Sequence, residues 1–471
     1  MNTSYDAIVI GSGPNGLAAA IVIALTGRSV CVFEANTTIG GGARSAELTL
    51  PGFNHDLCSA VHPLAAASPF FSQLPLKKYG LEFVYPPFAL AHPFDDDTAV
   101  TLDRSIENAC NSFGSDKDAY RQLFGPIVEN WNKLSDDLLS PPRLPKHPLL
   151  VARFGWRAIQ PAKRIAESHF TEDKTRAVFA GLAAHSFLSL DRYGSAAFGL
   201  ILGALTHAVG WPIARGGSQC ITMALTDYLR DLGGEIITNH RVSSLAELPP
   251  AKAVICDVTP KQLVSIAGGD LPVGFVKKLR NYHYGPGAFK MDWALNSPVP
   301  WKAKACLKAA TIHLGGSFAE ILESERLIAE GKCSDRPFVI LSQPSLFDSS
   351  RAPKEKHTLW GYCHVPNGSE IDMTEGIEKQ IERFAPGFRN CILDRRIMRP
   401  GDLEHHNSNL VGGDINGGLQ NIAQMFTRPT WRLYSTPMRD LYLCSSSTPP
   451  GGGVHGLCGY FAAKLALRKS L

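Results

Sequence analysis

The chain has 471 residues, more than a single small hydrophobic core usually serves, so two domains are the default expectation. Hydrophobic residues make up 44% and charged residues 19%, a composition typical of a globular protein. The formal net charge is only +4, and no block of Lys and Arg alternates with aromatic residues, which argues against nucleic acid as a partner.

The eleven cysteines are scattered and include no C-x-x-C pair. This usage suits a reducing compartment and argues against thiol–disulfide exchange. The first strand is predicted to begin by Tyr5, so we expect no signal or transit peptide. The longest apolar run, 194–211, is shorter than a membrane span and predicts a buried helix. We therefore expect a cytoplasmic protein, and peripheral association with a membrane stays open.

The N-terminal stretch predicts a dinucleotide-binding unit. "YDAIVI" is a β-branched strand, and "GSGPNG" then places Gly11, Gly13 and Gly16 at G-x-G-x-x-G spacing. An Ala-rich helix follows, and "SVCVFE" is a second strand that ends at Glu34, where an acidic side chain can bind a ribose diol. The glycines permit a tight turn, close approach to a pyrophosphate and close helix–strand packing. Further cofactor contacts are expected from Ser12, Asn15 and Ala35.

A second glycine cluster follows directly. "ANTTIGGGARSAEL" contains Gly40, Gly41 and Gly42, which let the backbone pass along the rest of a longer cofactor. This pattern resembles the FAD-binding chains of the glutathione-reductase type, and FAD is the predicted cofactor. No second G-x-G-x-x-G follows a strand directly, so we expect no separate nicotinamide site. Cofactor contacts are predicted here for Gly41, Gly42, Ala43, Arg44 and Ser59.

The middle of the chain supplies a third piece of the same unit. The segment 210–245 predicts a loop, an amphipathic helix from about Gln219 to Leu232, and a strand that ends near Val242. "KAVICDVTP" predicts another strand, with Pro260 opening the next segment. In a doubly wound sheet these elements rejoin the N-terminal unit and place Val242 near the adenine end of the cofactor. An αβ unit of a separate domain is the alternative.

These motifs together resemble the phytoene desaturase-related flavoprotein family. The resemblance rests on the Gly11–Gly16 turn, Glu34, "GGGAR", "GWPIARGGSQCITMAL", "YGPGAFKMDWAL" and "LYLCSSSTPPGGGVHGLCG", and it covers essentially the whole chain. The family includes carotenoid desaturases and isomerases, retinol saturases and the pyridine nucleotide-disulphide oxidoreductase domain-containing protein 2 group, which the "PPGGGVHG" ending resembles most. Without a C-x-x-C pair, this sequence offers no means for the disulphide chemistry in that group's name.

The resemblance implies an α/β fold in which a Rossmann-type FAD-binding domain of the glutathione-reductase kind is interleaved with an α+β substrate domain. The expected FAD-binding domain comprises 1–70, 205–262 and 425–471. The expected substrate domain comprises 71–204 and 263–424. The implied activity is that of an FAD-dependent oxidoreductase on a small apolar substrate, most simply dehydrogenation, saturation or isomerisation of C–C bonds in a polyene-like molecule. Amine oxidase-like C–N oxidation and a flavin-holding interaction protein without turnover are the alternatives.

The C-terminal motif predicts a second helix mouth. Strand "LYLC" leads to Ser445–Ser447 and Gly451–Gly453, and a helix is expected to start at Val454. A helix N-terminus stabilises negative charge at the redox end of the cofactor. The family often has Gly-Asp where Ser445-Ser446 stand, which puts a carboxylate contact to the ribityl chain in doubt. A loop that only caps a helix is the alternative. Cofactor contacts are predicted for Ser446, Gly453, Val454 and His455.

Three residues are candidates for catalysis. In the distantly related amine oxidases, a Lys on the strand that matches "AFKMDWAL" reaches a water beside the reactive nitrogen of the flavin, and Lys290 matches that position. Strand alternation directs it away from Phe289 and Met291. His62 and His455 are candidate proton carriers. A surface or salt-bridged lysine and polar packing histidines are the alternatives. The pair His405–His406 lacks ligands at metal spacing, so no metal site is predicted.

The segment 138–170 mixes Pro and basic residues with the aromatic residues Phe154 and Trp156. We favour a cap helix over the substrate tunnel with a solvated basic face. The alternative is a helix that lies on a membrane, where a lipophilic substrate would be collected.

Overall fold

The computed structural model describes residues 4–471, and its helices and strands are numbered separately in chain order. The strands are β1 Tyr5–Ile10, β2 Val30–Phe33, β3 Ser45–Glu47, β4 Asn54–Asp56, β5 Phe83–Val84, β6 Phe88–Pro93, β7 Ala99–Leu102, β8 Ile213–Ala214, β9 Glu235–Ile237, β10 Ala251–Cys256, β11 Gly287–Leu295, β12 Ala309–Leu314, β13 Val339–Ser342, β14 His357–Val365, β15 Ile392–Met398 and β16 Leu441–Leu443.

Short 3₁₀ turns accompany the α-helices. The α-helices are α1 Pro14–Ala24, α2 Pro63–Ala66, α3 Ile106–Cys110, α4 Lys117–Glu129, α5 Trp131–Leu138, α6 Pro148–Ala158, α7 Ala162–His169, α8 Asp173–Ala184, α9 Ala196–Ala208, α10 Gln219–Asp231, α11 Pro260–Ala267, α12 Val273–Arg280, α13 Phe318–Ala329, α14 Thr374–Phe384, α15 Pro400–His406, α16 Ile422–Phe426 and α17 Leu457–Lys469.

A five-stranded parallel sheet joins distant parts of the chain in the order β16-β10-β1-β2-β9. Strands β1 and β2 are almost entirely buried, and β10 is buried towards its carboxyl end, as parallel strands covered on both faces require. Helices α1, α10 and α17 pack on one face, and α11 and α12 cover the other. This arrangement confirms the predicted Rossmann-type α/β fold.

The first and last helices cross closely. A Cβ on Gly459 of α17 would lie 1.8 Å from the backbone oxygen of Asn15 in α1, so only glycine permits this approach. The C-terminal helix therefore packs against the element that carries the N-terminal glycine motif.

Two element boundaries differ from the sequence prediction. Strand β9 ends at Ile237, because Asn239 adopts φ 56° and the chain then turns to donate from the His240 amide to the Glu34 carbonyl. Helix α17 begins at Leu457 and not at Val454, because Gly456 at its N-cap has φ 69° and breaks the helix before that point.

A seven-stranded mixed sheet has the order β15-β11-β14-β13-β12-β6-β7 and is antiparallel except where β12 pairs with β6. One face carries a hydrophobic core that includes Phe289, Met291 and Trp293 of β11. The alternate residues of β11, Ala288 and Lys290, point to the other face, towards a cavity. The domain boundaries predicted from the sequence stay a prediction.

Helices α4, α6, α7, α8 and α9 form a layer beside this cavity. The apolar run in 194–211 folds as the buried helix α9, as the sequence predicts. No helix between residues 4 and 471 combines the length and the apolar character needed to cross a bilayer.

Candidate active site

One large cavity lies between the two sheets and the helical layer. It opens at the carboxyl ends of the parallel strands, where ligands bind in doubly wound sheets. Its wall runs from the N-terminal glycine turn to aromatic residues of the seven-stranded sheet and of helix α9.

The N-terminal glycine turn forms one end of the cavity. Gly11 has φ 101°, and a Cβ on Gly16 would lie 2.0 Å from the Gly11 carbonyl oxygen, so the turn is closed to larger residues. Gly11, Ser12, Gly13 and Asn15 line the wall, whereas Gly16 packs behind it. Asn15 Oδ1 is buried without a hydrogen-bond partner within residues 4–471, an unused acceptor that a hydroxyl of a bound dinucleotide would satisfy.

Glu34 lies on the wall beside this turn, as does Ala35. Its carboxylate accepts hydrogen bonds from the Ser12 amide (3.0 Å) and hydroxyl (2.6 Å) and from the Asn36 amide (2.8 Å) and side chain (3.0 Å). Two of these donors are side-chain groups that ribose hydroxyls can replace. The residues present therefore fit a dinucleotide.

Asp257 is a buried acid at the same helix mouth that the sequence reasoning missed. Its Oδ2 accepts from the Gly16 amide at 2.9 Å, and a Cβ on Gly13 would lie 2.7 Å from it. Burial raises the pKa of Asp257 to about 7. The available sequence signal was an acid placed directly after a buried strand, at the edge of the sheet where ligands bind.

The second glycine cluster continues the wall. A Cβ on Gly41 would lie 2.9 Å from the Gly13 Cα, so the two glycine turns touch. Gly41, Gly42 and Ser59 line the cavity, as does Val242.

Ala43 and Arg44 are not among the residues that line the cavity, and their cofactor contacts stay a prediction. The Arg44 side chain turns back, with Nε donating to the Gly41 carbonyl at 3.0 Å and the guanidinium donating to the His406 carbonyl at 3.0 Å. Arg44 therefore shapes the loop that carries the glycines.

The C-terminal turn supplies Ser446, Gly453 and Val454 to the wall. His455 does not line the cavity, and its predicted catalytic and cofactor-binding roles stay a prediction. Its Nδ1 accepts from the Leu457 amide at 3.0 Å, and its Nε2 donates to the Gly451 carbonyl at 3.2 Å. Both nitrogens are thus committed to the backbone at the start of α17.

Lys290 lies on the cavity wall and is almost fully buried. It forms an ion pair with Asp292, whose other oxygen lies 3.6 Å from His55 Nδ1. Burial raises the pKa of Asp292 to about 6, against the opposing effect of Lys290. Burial lowers the pKa of His55 to about 3, with Lys290 and Arg351 acting in the same direction.

His62 also lines the cavity. Neither of its ring nitrogens has a hydrogen-bond partner in the described part of the chain, and burial lowers its pKa to about 4. The structure thus brings Lys290 and His62 to one cavity, with unused polar atoms on the histidine. Their catalytic roles stay a prediction.

We call the part of the cavity beside the seven-stranded sheet and helix α9 the substrate chamber. Its rings pack on one another, with Phe187 and Tyr362 stacked at 6.3 Å and Trp360 edge-on to Tyr362 at 5.4 Å. The large apolar residues of its wall are Phe187, Phe198, Leu202, Trp211, Trp360 and Tyr362.

The chamber wall carries no carboxylate within residues 4–471. The two acids on the cavity wall, Glu34 and Asp257, both lie at the glycine turn. No group of three or more His, Cys, Asp or Glu side chains in this part of the chain is placed to hold a metal ion.

Residues 9–74 match the family described as NAD(P)-binding Rossmann-like domain. The N-terminal unit is a Rossmann-like dinucleotide-binding domain. A mouse protein, pyridine nucleotide-disulfide oxidoreductase domain-containing protein 2, is 25% identical over 99% of this chain and 94% of its own length. A 4,4'-diapophytoene desaturase (4,4'-diaponeurosporene-forming) of Staphylococcus aureus is 22% identical over 95% of both chains.

A solved structure of a putrescine oxidase has a similar fold. A putrescine oxidase bound to putrescine superposes with a TM-score of 0.63 at 16% identity, covering 99% of both chains. With its Rossmann-like domain, the chain is an FAD-dependent oxidoreductase, as the sequence predicts. Gly11, Ser12, Gly13, Asn15, Glu34 and the C-terminal turn are placed to hold the cofactor along one wall.

Proposed function

We propose that this oxidoreductase acts on an apolar, isoprenoid- or polyene-like molecule, and that it dehydrogenates, saturates or isomerises C–C bonds. The observation that carries the proposal is the substrate chamber, whose large wall residues are aromatic or aliphatic and whose described wall bears no carboxylate. A neutral hydrocarbon gains from burial against such a wall. A cationic substrate would instead meet the Lys290 ammonium, whose counter-charge Asp292 does not line the cavity.

FAD supplies the hydride chemistry when bound, as an acceptor or donor for the substrate carbon. The protein's own part is to hold the dinucleotide at its two glycine turns and to exclude water with the aromatic wall. Lys290 keeps ammonium protons at the wall, where they can hold a water against the reacting atoms. Asp292 anchors that ammonium from behind, because both side chains lie on one face of β11.

Oxidation of a C–N bond is the second candidate. Lys290 stands on a strand that resembles the lysine-bearing strand of the amine oxidases, and the putrescine oxidase named above shares the fold. An amine substrate would enter this chamber in its uncharged form, because the wall offers a cation no partner.

Anaerobic mixing of the FAD-loaded protein with three probes tests these functions. The probes are a diapophytoene-type polyene, putrescine and cyclohexylamine, and the readout is loss of the visible absorbance of the flavin. A second run starts from photoreduced protein and follows the return of colour, which detects saturation. We expect a response to the polyene alone. A response to an amine alone would overturn the proposal, and no response to any probe would support a flavin-holding protein without turnover.

We also propose that one outer face docks on a membrane rich in anionic lipid. Helix α6 buries Phe154 and Ala158 against the helical layer, yet its other face leaves Leu149 85% and Trp156 73% exposed. These two residues are seven positions apart and therefore share one side of the helix. Helix α6 therefore has apolar residues on two sides, and the side that carries Leu149 and Trp156 is not covered by the rest of the protein.

The positive charge around the exposed side of helix α6 favours an anionic partner. Between 138 and 166 the sequence has six Lys and Arg residues and no Asp or Glu. Arg153, Arg157 and Arg164 form no ion pair within residues 4–471. A second copy of the chain would bring like charges together, whereas an anionic bilayer attracts them and takes up Leu and Trp side chains. An apolar substrate also dissolves in such a bilayer.

A further inference from the structure

Two histidines meet behind the wall of the substrate chamber. His185 follows helix α8 and lines the cavity, while His313 on β12 is fully buried and does not reach the wall. Their Nε2 atoms are 3.0 Å apart, a hydrogen bond in which one ring must donate and the other accept. Burial lowers the pKa of His185 to about 3 and holds that of His313 well below its usual range, so both rings are neutral.

The surroundings of His313 fix which ring donates. Its Nδ1 is buried and has no hydrogen-bond partner in the described part of the chain. Its neighbours are the Phe338 ring at 5.2 Å and Gly181, where a Cβ would lie 2.7 Å from Nδ1. A buried N–H without an acceptor is rarer and costlier than a bare lone pair, so Nδ1 carries no proton. A neutral imidazole has one N–H, and that of His313 is therefore on Nε2 and points at His185.

The tautomer of His313 also determines which ring nitrogen of His185 carries the proton. His185 Nε2 accepts the hydrogen bond from His313 Nε2–H, so the one proton of its neutral ring must be on Nδ1. This Nδ1 has no partner within residues 4–471, yet it is not among the fully buried unpartnered atoms, so it keeps access to the cavity that His185 lines. His313 thereby acts as a positioning residue that holds one tautomer of His185.

We infer that His185 is a fixed hydrogen-bond donor in the substrate chamber, and that the apolar molecule bound there carries an oxygen acceptor, a hydroxyl or carbonyl, opposite Nδ1. This inference rests on the proposed function, because it assumes that the chamber takes the substrate. It narrows the preferred substrates to oxygenated molecules, so the diapophytoene-type hydrocarbon probe should still change the flavin absorbance but bind more weakly than an oxygenated polyene. A hydrocarbon would leave the donor unpaired in a dry site, a loss of about 10-fold or more in affinity.

Nuclear magnetic resonance tests the tautomer without any substrate. Protein labelled with ¹⁵N in its histidines is compared with His185→Gln and His313→Gln variants, which assign the ring signals. We expect a protonated Nδ1 and an unprotonated Nε2 for His185 in the FAD-loaded wild type. A His185 ring protonated on Nε2 would overturn the inference, whatever the protein's activity.

Equilibrium dialysis in mild detergent tests the ligand class. Geranylgeraniol is compared with the matching hydrocarbon that lacks the hydroxyl, and the wild type is expected to bind the alcohol about 10-fold more tightly or better. His185→Phe should abolish this preference, while the control His357→Phe, outside the cavity, should keep it. Equal binding of both ligands to the wild type would overturn the inference. Binding of neither ligand would instead count against the proposed function, and the tautomer measurement would still decide the donor.

Discussion

Lys290 and Asp292 lie two residues apart on one face of strand β11, and their side chains form an ion pair almost fully removed from solvent. The pair presents a cation to the cavity and keeps its counter-charge behind the wall, since Lys290 lines the cavity and Asp292 does not. The charge at the wall therefore depends on both residues. Removing only one of them changes the charge that faces the cavity and also leaves the other side chain buried without its partner.

We expect Lys290→Met to slow flavin reduction or reoxidation by ~10²-fold or more, the scale of losing one positioned proton-transfer group. Because Asp292 is left as an unpaired buried charge, the free energy of unfolding should also fall by about 3–5 kcal/mol. The double variant Lys290→Met/Asp292→Asn should regain most of the stability and none of the rate. Urea unfolding, FAD content and stopped-flow absorbance measure these effects. A double variant that regains the rate would reduce Lys290 to a structural lysine.

Purified protein should be yellow and release FAD, identified by mass, on acid precipitation. Glu34→Ala should weaken FAD retention, because it removes the acceptor of the ribose hydroxyls and frees the Ser12 and Asn36 donors. Equilibrium dialysis of FAD measures the change, with the exposed Glu47→Ala as the matched control. A colourless wild type that takes up no added FAD would contradict the cofactor assignment.

The stability of the cofactor-free protein should depend on Asp257. Burial raises its pKa to about 7 in the folded protein, while the unfolded value is near the ordinary 3.8, so the folded state binds the proton more tightly. This contribution to stability is complete below pH 3.8 and is lost as the pH rises towards 7. Asp257→Asn should therefore stabilise the protein by up to a few kcal/mol at pH 8 and by nothing near pH 4. Equal differences at both pH values in urea unfolding would refute this assignment.

NADH and NADPH should not reduce the flavin rapidly. The G-x-G-x-x-G turn at Gly11–Gly16 is assigned to FAD. The other glycines at that spacing, Gly451, Gly453 and Gly456, belong to the C-terminal turn, whose Gly453 lines the same cavity, so they do not form a separate dinucleotide site. Stopped-flow mixing of either nucleotide with oxidised protein is the measurement. Bleaching within milliseconds would reveal a nicotinamide site of another construction.

Leu149→Glu should weaken sedimentation with vesicles that contain anionic phosphatidylglycerol, because it places a charge on the exposed face of α6. The control Leu25→Glu changes another exposed leucine, at the end of α1 away from the glycine turn, and should sediment like the wild type. Vesicles of neutral phosphatidylcholine should bind all three proteins weakly. Wild-type protein that ignores both vesicle types would rule out the docking face.

The parts of the site that the sequence predicts are those built from local segments. The glycine turn, Glu34 and the second glycine cluster each follow from a short stretch whose backbone conformation dictates its residues. Asp257 was missed because its partner, the Gly16 amide, is 241 residues away. The prediction also gave Lys290 no partner, although Asp292 stands two positions along the same strand.

The histidines show where sequence reasoning reaches its limit. His455 was predicted to contact the cofactor because it sits in the C-terminal motif, but the sequence did not indicate that both its ring nitrogens would bond to the backbone, at Gly451 and Leu457. The pair His185 and His313 comes from two distant segments that meet only in the folded chain. Because the two histidines are 128 residues apart, no local sequence pattern predicts their contact.

The close crossing of α1 and α17 has a consequence for the synthesis of this protein. Gly453 follows Gly11 by about 440 residues, so at ~5–20 residues per second the ribosome needs roughly 20–90 s between making the first wall of the cavity and the last. During that interval strand β16 is not yet present to pair with β10, and helix α17 does not yet cover the apolar face of α1. Until α17 is made, the apolar face of α1 is therefore uncovered, and the cavity wall lacks Gly453 and Val454.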